Sequence, residues 1–350
     1  MNDSADDGRH EAASTPVTLD DVARLSGVSR ATASRALNGR SGVSPDVRER
    51  VQRVGESLGY RPNRAARNLA SGRASVIGFV MPSDELRLDP YGASLVQAVA
   101  RSADAHDEGL MLLLAQDEPN RAVRRTLLDG LVDGVIVSAI AIGSNWVEEL
   151  LDAQVPSVLV GAHPTRRDRP TIEVENLESS ARLVDHLLDQ GYERIATITG
   201  PLERIDAQQR LEGFRLAFGR RGLDVDESLI VNGTFSRVSG QERMRELLAL
   251  RPDAVVAAND EMALGAMRTI ETAGLRVPDD VALVGFDATS AAWGIDPTLT
   301  TVAQPFEEMA ELAVTALIRI IAGDVPPVHQ LVIPELVLGR SSHRSTEVSR

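Results

Sequence analysis

Short, unbroken apolar runs recur along this chain: VIGFVM at 76–81, MLLLA at 111–115, GVIVSA at 134–139 and SVLVG at 157–161. The set continues with IATITG at 195–200, AVVAA at 254–258 and ALVGF at 282–286. VIGFVM is a continuous apolar run and reads as a strand covered on both sides, and the others read as further strands. Helical patterns fill the gaps, near 91–107, 121–128, 146–151, 177–190, 205–221, 239–250 and 262–273. Strand and helix in regular alternation imply right-handed crossovers and doubly wound parallel sheets. TIEVEN at 171–176 closes one such series, after which the rhythm restarts, with a further strand near 229–231. A last helix over 306–321 and a closing strand, QLVIPELVL at 330–338, come back late in the chain. The expected core is therefore α/β, with two doubly wound parallel-sheet lobes.

Residues 17–73 have a different texture. Thr18 suits the cap of a helix burying Leu19, Val22, Ala23 and Leu25. Gly27 permits a tight turn, and Ser29 caps a second helix with Ala33, Ala36 and Leu37 inward. Small inward residues let two short helices cross closely, as a helix-turn-helix requires. The outward face of the second helix carries Arg30, Ala31, Ser34 and Arg35. Arginine pairs bidentately with guanine and alanine touches the thymine methyl, so this face suits a DNA major groove. Ser44-Pro45-Asp46 opens a third helix by cap, first-turn proline and early acid, with Val47, Val51, Val54 and Leu58 inward and Gly59 at its end. Arg61-Pro62 then breaks the chain, and Asn63 caps a short segment, RAARNLAS.

Charge separates the two regions. Residues 17–73 hold eleven arginines against five acids, a net of +6; the chain as a whole is −14, so the remainder is −20. A basic island on an acidic protein is the footprint of nucleic-acid binding. Every Lys or Arg position is arginine. Cysteine is absent and the six histidines (10, 106, 163, 186, 329, 343) show no ligand spacing, so neither a disulfide framework nor a metal site is expected. No apolar run approaches the roughly 18 residues of a membrane span. The opening MNDSADDGRHEAASTP is polar and reads as a disordered leader, not a signal peptide.

VTLDDVARLSGVSRATASRALNG, VSPDVRERV, LGYRPNRAARNLASGR and the following IGFV, in that order, resemble the headpiece of LacI/GalR-family transcription regulators. HLLDQGYERIATITGP, AANDEMALGAM, VALVGFDAT and PTLTTVAQPF resemble that family's periplasmic-binding-protein-like (type I) core, more loosely. Ala33, where the family more often has Val, is a departure that concerns packing only. The resemblance implies that Arg30, Ala31 and Arg35 face bases while Thr18, Ser29, Ser34 and Asn38 hold phosphates. It also implies a hinge helix over 63–70 in the minor groove with Leu69 as the wedge; Tyr60, Asn63, Ala66 and Ala70 complete the expected DNA-facing set. The expected organisation is a leader (1–16), a helix-turn-helix domain (17–60), a hinge (61–73), a core (74–340) and a tail (341–350). Within the core, one lobe takes about 75–174 and 305–333 and the other 175–304 and 334–340. No leucine heptad follows Arg340, which speaks against a coiled-coil tetramer.

Ligands of open parallel sheets bind beyond the carboxyl ends of strands. Asn259 and Asp260 follow AVVAA, Asp287 follows ALVGF, Glu175 and Asn176 end TIEVEN, and Gln304 follows TTVA. Arg210 lies on the helix entered from Gly200-Pro201. A guanidinium fork with Asp and Asn suits vicinal hydroxyls, and Tyr91, Phe235, Trp293 and Phe306 offer faces for a sugar ring. The resemblance carries Arg210, Asn259 and Asp287 as effector contacts and puts Tyr91 and Phe235 at the pocket, with Glu175 and Gln304 added from their strand-end places. Each residue also has a structural reading: Asn259 as a helix cap, Arg210 as a salt bridge, Trp293 as packing. VGAH at 160–163, where some sugar-responsive members have an acid, leaves the particular sugar open.

Enzyme readings find no support: G-x-G-x-x-G, G-x-S-x-G and the P-loop are all missing, and Glu148-Glu149 and Glu307-Glu308 are consecutive on helices, facing different ways. The expectation is a cytoplasmic, homodimeric bacterial regulator, nucleoid-associated when on DNA. It is expected to be a repressor that binds palindromic operator DNA and a sugar-like effector, without cofactor, enzymatic activity or membrane contact. A solute-binding receptor would share the two lobes but would need a signal peptide and have no use for the headpiece.

Overall fold

A computed structural model describes residues 17–39, 41–60, 72–82, 90–115, 125–127, 129–138, 145–153, 155–163, 168–289 and 298–344. The leader, the hinge positions Asn63, Ala66, Leu69 and Ala70, most of the helix expected over 121–128, Trp293 and the end of the tail lie outside the described residues. The chain divides into two units, residues 1–72 and 73–350.

The first unit holds three helices, α1 (Leu19–Ser26), α2 (Arg30–Leu37) and α3 (Pro45–Ser57). Val22, Ala23, Ala33, Ala36 and Val51 form its buried core, with Val47, Val54, Leu58 and Tyr60 packed around them. Gly27 turns the chain between α1 and α2 at φ 65°, a conformation glycine adopts without strain. Two expectations fail here. Leu25 is 54% exposed, and Ser26 is buried in its place. At about 100° per residue, Leu19, Val22, Ala23 and Ser26 share one arc of the helix and Leu25 falls outside it. Ser44 sits at the cap position of α3, but its side chain makes no capping hydrogen bond, so Pro45 and the first-turn Asp46 open that helix without it.

In the second unit each expected apolar run becomes a strand. One sheet contains β1 (Val76–Pro82), β2 (Gly109–Ala115), β3 (Gly134–Ser138), β4 (Ser157–Val160), β5 (Thr171–Val174) and β11 (His329–Val332). Its order is β2-β1-β3-β4-β5-β11, parallel throughout. The other contains β6 (Ile195–Thr199), β7 (Ile230–Asn232), β8 (Ala254–Ala257), β9 (Ala282–Asp287), β10 (Thr300–Ala303) and β12 (Glu335–Val337), ordered β7-β6-β8-β9-β10-β12. Successive residues of a strand face opposite layers: Ile77 and Phe79 pack with α4 (Pro90–Ala105) and α10 (Phe306–Ile321), while Val80 packs with the layer that holds α5 (Asn145–Asp152). The second sheet is covered likewise, by α6 (Leu177–Asp189) and α7 (Ile205–Arg220) on one face and α8 (Arg237–Leu250) and α9 (Asp260–Thr272) on the other.

Three passages join the lobes, after Val174, after Ala303 and after Val332. The closing run QLVIPELVL is thus two strands in two sheets, broken at Ile333-Pro334, where proline can give no ladder hydrogen bond. β12 runs antiparallel to β10, so the second sheet is mixed rather than wholly parallel. The two sheets turn their carboxyl ends towards one cleft. A strand that continues straight from one into the other must oppose its new neighbours.

Candidate functional site

That cleft is the candidate effector site. It lies between Tyr91, Val160, Gly161, Ala162, Val174 and Met309 of the first lobe and Arg204, Ile205, Asp206, Arg210 and Gln304 from the second-lobe side. An adjoining recess is lined by Phe235, Asn259 and Asp287 besides Tyr91, Arg204, Asp206 and Arg210. The polar liners gather at strand ends and in the first two turns of the helices that follow, as the doubly wound topology dictates.

Arg210 is the hub. Its guanidinium is 6% exposed. Nε donates to Asn176 Oδ1 at 3.0 Å and Nη1 donates to the Ala258 carbonyl at 2.5 Å. Nη1 also lies 3.6 Å from Asp287 Oδ1, and the plane stacks on Phe286 at 3.7 Å. Asp287 in turn accepts from Gln304 Nε2 at 2.8 Å. It holds φ 107°, and Ala288 after it φ 57°, the left-handed backbone region that costs a residue with a Cβ about 1–3 kcal/mol and clusters at binding sites. Gln304 Oε1 is buried and has no partner among the described residues, so it stands as a spare acceptor beside the cleft.

The structure sorts the expected effector residues. Tyr91, Arg210, Phe235, Asn259, Asp287 and Gln304 all line the cleft or its recess. Tyr91 packs edge-on against Phe306 at 5.3 Å. Asn259 does cap a helix: Oδ1 accepts from Met262 N–H at 2.9 Å, and Nδ2 donates to the Phe235 carbonyl at 2.9 Å. Phe235 itself sits at φ 60° and packs so tightly on Gly200 that a Cβ there would overlap the ring. Glu175 is the exception. Its carboxylate accepts the backbone N–H groups of Glu178 and Ser179, both at 2.8 Å, and so caps α6 away from the pocket lining. One residue on, Asn176 takes the place expected of it, receiving Arg210 Nε and donating to Gln209 Oε1 at 3.0 Å.

Sequence reasoning missed Arg204 and Asp206. Arg204 Nε and Nη2 grip Asp206 at 3.1 and 2.8 Å, and the guanidinium lies 5.2 Å above the Phe235 ring. Burial pushes the Asp206 carboxyl upward, but Arg204 and Arg210 outweigh it and hold the group below its ordinary range. The signal was available: GPLERID follows the carboxyl end of β6, the same rule that singled out Asn259.

In the first unit, Thr18 and Asp21 form a reciprocal capping box: Thr18 Oγ1 accepts Asp21 N–H at 3.3 Å and Asp21 Oδ2 accepts Thr18 N–H at 3.1 Å. The Thr18 hydroxyl and backbone hydrogen bonds, then the Arg24 guanidinium, lower the Asp21 carboxyl to about 2. Ser29 Oγ accepts Thr32 N–H at 3.1 Å, and Asn38 Nδ2 closes α2 on the Ser34 carbonyl at 2.8 Å. Arg30, Ala31 and Arg35 are exposed together on one side of α2, Ser34 is half-buried, and Tyr60 packs into the three-helix core. The hydroxyls expected on phosphates therefore also hold the helix ends that present this face.

Comparison with known proteins agrees at both ends of the chain. Residues 18–63 match the model for bacterial regulatory proteins of the lacI family, and residues 184–342 match a periplasmic binding protein-like domain. The ribose operon repressor of Escherichia coli (strain K12) is 33% identical over 93% of this chain and 99% of its own length. The chain belongs to the LacI family of bacterial regulatory proteins. Among solved structures, this LacI-family chain resembles the lac repressor dimer bound to operator and the anti-inducer ONPF, at TM-score 0.80, 30% identity and coverage of 94% and 99%. It also resembles a complex of the transcriptional regulator CelR with cellobiose, at TM-score 0.71, 33% identity and coverage of 93% and 99%. It is a DNA-binding transcription regulator with a two-lobe effector core, and that reading prevails over a solute receptor.

Proposed function

We propose that this LacI-family regulator is a cytoplasmic homodimeric repressor whose grip on a palindromic operator is set by a sugar bound between its core lobes. The observation that carries the sugar is the cleft itself. A stacked guanidinium, a carboxylate and a carboxamide with a spare acceptor converge at the carboxyl ends of the second sheet, with the Tyr91 and Phe235 rings beside them. Paired donors and acceptors around an aromatic face match vicinal hydroxyls on a ring. The relatives support this: one is named for a ribose operon and another was solved with cellobiose. Arg30, Ala31 and Arg35 read bases, Thr18, Ser29, Ser34, Asn38 and Tyr60 hold the backbone, and residues 63–70 form a hinge with Leu69 as its wedge. Effector binding that closes the lobes shifts the balance between the two states and so sets operator affinity. Operator titrations against a panel of sugars, sugar phosphates and nucleobases test the reading; a panel in which only nucleobases changed affinity would overturn it.

A further inference from the structure

The cleft holds two guanidinium groups, those of Arg204 and Arg210. Each is already matched by a carboxylate: Arg204 grips Asp206 through two hydrogen bonds, and Arg210 lies 3.6 Å from Asp287. Asp206 occupies a particular place. It is in the first turn of α7, a 16-residue helix whose start opens on the cleft, and its Oδ1 accepts the Ala207 N–H at 2.9 Å. A helix start with free N–H groups and nearby arginines is where a phosphate binds in many proteins. Here a resident carboxylate fills that position and draws on the same donors a phosphate would use.

We propose that Asp206 is a specificity-determining residue that restricts the effector to uncharged sugars and excludes phosphorylated ones. This rests on the sugar reading above and deepens it. A phosphate ester entering the cleft meets no uncompensated cation. Its charge must compete with the Asp206 and Asp287 carboxylates for the guanidinium donors that already hold them, so the phosphate gains no new ion pair to offset its own desolvation. A neutral polyol meets no such penalty, because its hydroxyls can donate to these carboxylates and accept from the guanidinium edges. The depressed ionisation of Asp206 keeps its charge in place across the neutral range.

The experiment measures the full-length protein by calorimetric titration and thermal melting with inorganic phosphate, glucose 6-phosphate, ribose 5-phosphate, cellobiose and the two free monosaccharides, at fixed ionic strength. The parent is expected to gain no melting temperature from phosphate beyond an equal ionic strength of chloride, and to bind neither phosphorylated sugar more tightly than its free form. Asp206→Ala removes the resident anion beside Arg204, so its affinity for phosphate is expected to rise about tenfold to a hundredfold, the range of one charge-assisted hydrogen bond. Asp206→Asn keeps an acceptor for the Ala207 N–H, preserves the helix start if the alanine variant melts early, and is expected to gain less. A parent that prefers a phosphorylated sugar to its free form overturns the proposal, as does a folded Asp206→Ala with no gain for phosphate. If no neutral sugar on the panel binds the parent, the sugar reading is at fault, while the phosphate arms still decide the role of Asp206.

Discussion

Replacing Arg210 by alanine separates holding the lobe together from sensing a ligand. The side chain is 6% exposed and its partner Asp287 5%, so solvent screens their attraction little. Removing one member of a buried, hydrogen-bonded charge pair costs about 3–5 kcal/mol, because the other is left without compensation. Asp287 would keep Gln304 Nε2, but Asn176 Oδ1 and the Ala258 carbonyl would each lose a donor and Phe286 its stacked cation. At roughly 2–4 °C per kcal/mol for a unit of this size, the core transition should fall by about 6–20 °C. Asp287→Asn in the same background removes the stranded charge and should restore part of that loss, a coupling that a double-mutant cycle measures directly. Circular-dichroism melts of the four proteins, beside operator titrations with and without the effector, are the assay. An Arg210→Ala melt within about 1 °C of the parent, or strict additivity in the cycle, would refute the hub; effector response lost at unchanged stability would then mark Arg210 as a pure ligand contact.

The remaining expectations concern DNA, the recess and pH. Operator affinity should fall steeply with salt on logarithmic axes, through counterions released by the arginine-rich headpiece, and a flat line would exclude a phosphate-backbone footprint. Arg35→Ala should cost about 1–3 kcal/mol and relax preference at one position per half-site, whereas Arg53→Ala on α3 should leave the selected sequence unchanged. Gly200→Ala should expel the Phe235 ring from its seat and weaken effector binding, seen in calorimetry, while operator affinity without effector stays near the parent's. Burial, and secondarily its neighbour His343, lower His186 below 6.5, so the neutral ring is the folded form. Its stabilising contribution is complete above about 6.5 and is lost as pH falls through the lowered value; melts between pH 7.5 and 5 should show that slope, and His186→Gln should flatten it.

Much of the fold was legible because its signals are local. Thr18, Ser29 and Gly27 mark helix starts and a turn through bonds to residues three or four away, and runs such as VIVS announce strands buried on both faces. Among the polar candidates, being at a strand end was a good guide to the cleft, since the topology aims all such ends the same way. It failed at Glu175, where a helix start one residue away took the carboxylate for itself, and at Asp260, which is buried away from the cleft lining and accepts from Thr301 Oγ1 at 2.7 Å. It was applied too sparingly at Arg204 and Asp206, whose adjacency to the cleft comes from the turn between β6 and α7.

The amino-acid sequence by itself determined the order and kind of the elements, the basic headpiece on an acidic chain, and the identity of the family. The first two follow from periodicity, capping chemistry and charge, each set by neighbours along the chain, while the family rests on the likeness of whole motifs to known regulators. Only the tertiary structure decided which carboxylate meets which guanidinium. Arg210 finds Asn176 and Asp287 across separations of 34 and 77 positions, and β11 and β12 part into different sheets within six residues. Such pairings depend on strand order and on two sheets facing one cleft. No local signal encodes them, because many chain paths satisfy the same capping and periodicity.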